Sequence, residues 1–133
     1  MIIEWGYMMG KSSQRKGANG EKELAGILQQ YGYQVERGGS ETYGTIPDLT
    51  GLPGVHAEVK RVEHLNLHEA MKQSIRDAER FRDGMPTVFH RRNREGWLVT
   101  QRLEDWMQLY SKVIAINRNK LSTDLEISNV VPS

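Results

Sequence analysis

Asp48, Glu58 and Lys60 are the residues of this 133-residue sequence whose types and spacing point most directly to chemistry. Glu58 and Lys60 stand two apart in an alternating segment, so on a strand both side chains leave the same face. Asp48 precedes them across the turn Leu52-Pro53-Gly54, and antiparallel pairing across that turn brings Asp48 near Glu58. Two carboxylates held together repel unless something positive neutralises them. A hard divalent cation does this, and oxygen ligands suit Mg²⁺. Lys60 beside them can stabilise a pentavalent phosphate or position an attacking water. From spacing alone, the same string serves equally well as an ion-pair cluster on a solvated strand face.

The elements that must position these residues follow from periodicity. A helix is predicted over about Asn19–Tyr31, with Asn19 as N-cap and Gly32 as the stop. Its apolar residues Leu24, Ile27, Leu28 and Tyr31 recur at helical spacing, and Glu21 shares the face of Leu24 and Leu28. Tyr33–Arg37 alternates as a strand and leads into the loop GGSETYGTI. Asp48–Gly51 is a short strand, and Val55–Arg61 alternates cleanly. Val55, Ala57 and Val59 face one way, with His56, Glu58 and Lys60 the other. A second helix spans about Leu67–Arg82, with Leu67, Ala70, Met71, Ser74, Ala78 and Phe81 as its buried stripe, ended by Gly84 and Pro86. Strands near Thr87–Arg91 and Gly96–Thr100 flank the polar turn Arg92–Glu95. A third helix carries Leu103, Trp106, Met107 and Tyr110 on one face. Beyond it Val113–Ile116 is a candidate strand in a weakly patterned tail. One helix, three strands, a helix, two strands and a helix give an α/β fold, a mixed β-sheet flanked by helices. The expected organisation is an N-terminal arm at 1–17, one domain at 18–110 and a C-terminal extension at 111–133.

The motifs together resemble the PD-(D/E)XK nuclease superfamily. Pro47-Asp48 followed by Glu58-Val59-Lys60 is similar to its signature. Arg15-Lys16-Gly17 with Glu21, Glu23 and Leu24 resembles the opening of archaeal-type Holliday junction resolvases, and Arg37-Gly38-Gly39-Ser40 resembles the stretch after their first strand. The likeness runs from about Arg15 to Phe81, and small phage endonucleases share it. It implies a restriction-endonuclease-like α-β-β-β-α-β core and an Mg²⁺-dependent DNA endonuclease, with Mn²⁺ as a substitute. Asp48, Glu58 and the Val59 carbonyl would hold the metal, with Glu21 as a further ligand. Lys60 would be the catalytic lysine, supported by Gln73 and Ser40. His56 shares the strand face of Glu58 and Lys60, where it is either a supporting group or general base of the site or, more in keeping with its position, a polar strand neighbour. Branched or junction DNA is the implied substrate and a homodimer the implied assembly, because a junction must be cut symmetrically. A duplex or flap nuclease, and a non-catalytic DNA-binding module of the same fold, are the alternatives.

Composition sets the remaining bounds. A net charge of +1, from 18 Lys+Arg and 17 Asp+Glu, gives no overall basic excess for nucleic acid. The distribution matters more. Arg15 and Lys16 near the start, Arg37, and the cluster Arg91, Arg92 and Arg94 with His90 and Asn93 between them are candidate phosphate contacts. A solvated hairpin tip explains the second cluster almost as well. The absence of cysteine excludes disulfides, a thiolate nucleophile and a Cys-based zinc site. His64 and His68 have a spacing that zinc can use, but no metalloprotease glutamate lies between them, so a surface role is expected. Gly17–Gly20 reads as a flexible entry to the first helix. Trp97, Trp106 and Tyr110 are expected in the core rather than as base-stacking platforms. No apolar run is long enough to cross a bilayer, and no export signal is recognised. The expected location is cytoplasmic, or the host cytoplasm for a phage protein.

Overall fold

The structure is a computed structural model that describes residues 17–38 and 46–130, with side chains through 123. The chain forms two compact units, Met1–Gln101 and Arg102–Ser133. The first is built on a mixed five-stranded sheet with strands in sequence order. Helix α1 occupies residues 17–30. Strands β1 (Glu36–Arg37), β2 (Leu49–Thr50) and β3 (Val55–Arg61) follow, then helix α2 (Leu67–Phe81), β4 (Met85–Arg91) and β5 (Leu98–Gln101). β1, β2 and β3 pair antiparallel, β3 and β4 parallel, and β4 and β5 antiparallel. A parallel pair cannot be joined by a tight turn, and α2 is the crossover that joins it. This is the α/β mixed sheet that periodicity predicts.

The two sheet faces are filled differently. Leu24 and Ala25 of α1 pack with Val35, Leu49, Ala57, Val59 and Phe89 in the apolar core, and Trp97 packs at its edge. On the opposite face α2 offers small buried residues, Ala70, Ser74 and Ala78. Their size lets the helix lie close, and Ser74 Oγ donates to the Thr87 carbonyl at 3.0 Å. Asn66 caps α2, its side-chain oxygen accepting from the Glu69 N–H at 3.2 Å. Leu67, Met71 and Phe81, expected in the buried stripe, are only half-buried at its margins.

Several expectations are corrected. Asn19 is not an N-cap, because residues 17–20 are already helical; the glycines there do not interrupt α1. Gly32 does end it, at φ +97°, with the Tyr33 N–H donating to the Leu28 carbonyl. The first strand is confined to Glu36–Arg37, because only these residues meet β2. Val113–Ile116 is not a strand. It lies inside helix α3 (Leu103–Val130), which forms the second unit. No Gly or Pro occurs between Gly96 and Pro132, so nothing stops the helix once it has started. Trp106 and Tyr110, one helical turn apart, stack on each other at 5.1 Å and are 50% and 47% exposed, so neither is a core residue. The arm at 1–16 and Ser40 lie outside the described residues.

Candidate active site

β3 carries the centre of the site on the face that α2 covers. Its alternation sends Ala57 and Val59 into the apolar core and His56, Glu58 and Lys60 toward α2. Spacing alone is compatible with a solvated face here, but His56 and Glu58 are 1% and 4% exposed. Leu49 of β2 is the partner of Ala57, which sets Asp48 alongside Glu58. Asp48 Oδ2 accepts from the Val59 N–H at 3.0 Å. Burial first, then the Glu58 carboxylate, pushes Asp48 from 3.8 up to about 7, against that hydrogen bond. Glu21 raises it further and Lys60 lowers it. The buried Glu58 and the half-buried Asp48 thus share too little positive charge, and one retains a proton near neutrality.

Gln73 of α2 links the other two members. Its Nε2 donates to Glu58 Oε1 at 2.9 Å, and its Oε1 accepts from Lys60 Nζ at 3.0 Å. Lys60 Nζ stands 3.8 Å from Glu58 Oε1. The amide therefore fixes both the carboxylate and the ammonium, each of which could otherwise rotate. Asp48, Glu58, Lys60, Gln73 and His56 are all brought together. Glu21 is near enough to act on Asp48 electrostatically, and its Oε2 accepts from Arg37 Nε at 2.9 Å.

Two participants were not singled out from sequence. Asp83, just beyond α2, places both carboxylate oxygens 2.8 Å from His56 Nδ1. His56 Nε2 faces Glu58 Oε2 at 3.4 Å. Burial disfavours the imidazolium, yet the contacts with Glu58 and Asp83 outweigh it and raise His56 above 6.5. Asp77 is the second. Among the described residues, donor atoms of His56, Glu58 and Asp77 lie within 4.8 Å of one another, close enough to share a metal. Asp77 follows Gln73 by four residues on α2, and that helical spacing was its available signal. Asp83 had no such signal, since only the closing of α2 over β3 brings it to His56.

The donor chemistry fits a hard cation. Asp48 and Glu58 offer carboxylate oxygens, and the proton retained by Asp48 marks where a positive charge is wanted. Glu58 belongs both to this pair and to the group with His56 and Asp77. A histidine in that second group suits a softer metal than Mg²⁺.

The candidate phosphate contacts are unequally placed. Arg91 closes β4 and is committed inward, with Nε 3.0 Å from Glu23 Oε1 and its guanidinium 5.9 Å from the Trp97 ring centroid. Arg92 and Arg94 are exposed on the turn that follows. Arg15 and Lys16 lie outside the described residues. His64 and His68 are both exposed, one in the loop before α2 and one in its first turn.

No family model and no curated protein matches the sequence. Among solved structures, the fold is similar to that of Hjc, a Holliday junction resolvase from the archaeal hyperthermophile Archaeoglobus fulgidus. The TM-score is 0.50 at 23% identity, over 65% of this chain and 72% of that one. At that identity the likeness defines the class of fold, a resolvase-like nuclease fold. No helix among the described residues is long and apolar enough to cross a membrane.

Proposed function

We propose that the protein is a divalent-metal-dependent DNA endonuclease of the PD-(D/E)XK type, a resolvase-like enzyme that acts on branched DNA as a homodimer. The observation that carries this reading is the carboxylate pair of half-buried Asp48 and buried Glu58 beside Lys60, on a fold similar to that of a resolvase. Asp48, Glu58 and the Val59 carbonyl are the residues that would hold Mg²⁺, or Mn²⁺ in its place, with Glu21 as an outer ligand. When bound, the ion supplies Lewis-acid polarisation of a phosphodiester and neutralises charge on the leaving oxygen.

The protein's own groups do the rest. Gln73 holds Lys60 so that its ammonium faces the phosphate oxygens, where negative charge grows during attack by water. Gln73 and His56 together fix the two oxygens of Glu58. Ser40, Arg15, Lys16, Arg37, Arg91, Arg92 and Arg94 are assigned to contacts with the DNA backbone. The nuclease domain is assigned to 18–110, with the arm 1–17 and the extension 111–133 outside it. Cutting a junction on two strands requires two such sites, hence the homodimer.

The test is cleavage of a four-way junction, a flap and a linear duplex with Mg²⁺. Junction cleavage by the wild type and its loss in Asp48→Ala supports the reading. Undiminished cleavage by Asp48→Ala removes the catalytic assignment. Preference for the flap or the duplex moves the substrate to those DNAs.

A further inference from the structure

A cleft of about 550 Å³ opens at the carboxyl ends of the parallel strands β3 and β4, between the loop before α2 and the β4–β5 turn. Its size falls in the ordinary range for ligand pockets, about 300–1,000 Å³. It continues the sheet face that bears the candidate site. His90 of β4 is the register partner of Lys60, and Leu98 of β5 is the partner of His90. Val62 follows Lys60 by two residues, about 6.6 Å along a strand, close to two base-pair rises of 3.4 Å. A DNA strand that runs along β3 with a phosphate at Lys60 has a nucleotide one or two steps on at the mouth of the cleft.

The lining chemistry is that of a base rather than a phosphate. Val62 and Leu98 are apolar, 37% and 59% exposed, and with Leu65 they line this one concavity. Glu63 and Glu95 line it together with Arg91 and Arg92, so its formal charges balance and no excess positive charge holds an anion. Burial lowers His90 below 6.5, and its Nε2 is 2.8 Å from Thr100 Oγ1, so the floor is a neutral imidazole. Asn66 spends its side-chain oxygen on the α2 cap and keeps its amide donors. The two rims are tied by the Asn93 N–H, which donates to Glu63 Oε1 at 2.9 Å. Arg92 stands exposed at the edge, where a backbone phosphate would pass. Apolar walls with both donors and acceptors match the faces and edge of a nucleobase.

We propose that this cleft receives one unpaired nucleobase from the DNA strand that crosses Lys60. The proposal rests on the nuclease reading and narrows its substrate class to DNA with an unpaired nucleotide beside the cut. Taking a base out of a duplex costs a few kcal/mol, least for one already unpaired. Bulges and the single-stranded side of a flap therefore meet the cleft at the lowest cost.

Binding is measured by fluorescence anisotropy in EDTA, so the result does not depend on cleavage. The probes are duplexes with a single-nucleotide bulge that is either 2-aminopurine or an abasic analogue. The wild type should bind the base-bearing bulge about tenfold more tightly, the order expected for enclosing one base. The 2-aminopurine emission should change on binding. Gly96→Trp places an indole at the cleft edge, where an added Cβ meets nothing within 4 Å, and Leu98→Lys charges the wall. Both should abolish the difference, with the melting temperature checked for each. Equal binding of base and abasic bulges by the wild type overturns the proposal, as does a difference that survives both variants. Saturable binding of free deoxyadenosine monophosphate without a base-dependent difference in DNA assigns the cleft to a free nucleotide and also overturns it. Failure of the nuclease reading is seen separately, as absence of cleavage of the junction, the flap and the duplex alike with Mg²⁺.

Discussion

His56 and Asp83, 27 residues apart in sequence, meet with Nδ1 at 2.8 Å from both carboxylate oxygens. An ionised carboxylate only accepts, so Nδ1 carries the proton. Nε2 faces a second carboxylate, Glu58, and a second proton there makes the ring an imidazolium. Its pKa is raised above 6.5 in the folded state although burial opposes this. The stabilisation is thus fully present below about 6.5 and is lost as pH rises through the folded value. His56→Gln should therefore cost more stability at about pH 6 than at about pH 9, with a difference of roughly 1–2 kcal/mol for charged hydrogen bonds. Urea denaturation without divalent ions measures it. Equal losses at both pH values would show that His56 does not change its charge between them, against the raised value.

Asp48 predicts a linkage of the same sign at the same site, in a lower pH window. A carboxyl raised to about 7 when folded binds its proton more tightly than in the unfolded chain. Its ionisation therefore lowers stability as pH rises from about 4 to about 7. A divalent cation must displace that proton. Calorimetric titration with Mg²⁺ or Mn²⁺ near pH 6.5, in buffers of different ionisation enthalpy, should show proton release that Asp48→Asn removes. Cleavage rate should rise with pH and level off above about 7. Metal binding with no buffer dependence would contradict the protonated Asp48.

Gln73 joins Glu58 at 2.9 Å and Lys60 at 3.0 Å through one amide. Gln73→Leu leaves both charged groups but frees their rotation. Groups that orient ligands in this way are typically worth 10–100-fold in metal affinity or activity. The expected result is a fall of about that size in kcat, with KM for DNA nearly unchanged and a melting temperature close to wild type. An effect on KM alone would place Gln73 in DNA binding instead.

What the sequence made legible was local. The alternation of Val55–Arg61 placed Glu58 and Lys60 on one face, and the turn after Asp48 gave its register. Burial of that face was not legible, because it comes from α2, whose small residues Ala70, Ser74 and Ala78 let it close over β3. Asp83 reaches His56 only through this long-range packing. Val113–Ile116 misled for another reason. A short β-branched run reads as a strand until its helical continuation through Leu121 is counted. The cleft was invisible for the same reason as Asp83, since Val62 and Leu98 come to line one cleft only through the β3–β4–β5 pairing.

Gly51 controls where Asp48 stands. It lies between β2 and β3 at φ +95°, and a Cβ there would meet the backbone carbonyl of Gln34. Gly51→Ala therefore carries both backbone strain, roughly 1–3 kcal/mol, and a clash with the segment before β1. Gly54 is the control. It has φ +76°, but a Cβ there meets nothing within 4 Å, so Gly54→Ala carries strain alone. Thermal unfolding should place Gly51→Ala below Gly54→Ala, and Gly54→Ala below the wild type. The same order should hold for divalent-metal affinity, because relief of the clash moves β2 and draws Asp48 away from the Val59 N–H. Equal melting temperatures for the two variants would show that the Gln34 contact relaxes without moving β2, and metal affinity should then be equal too.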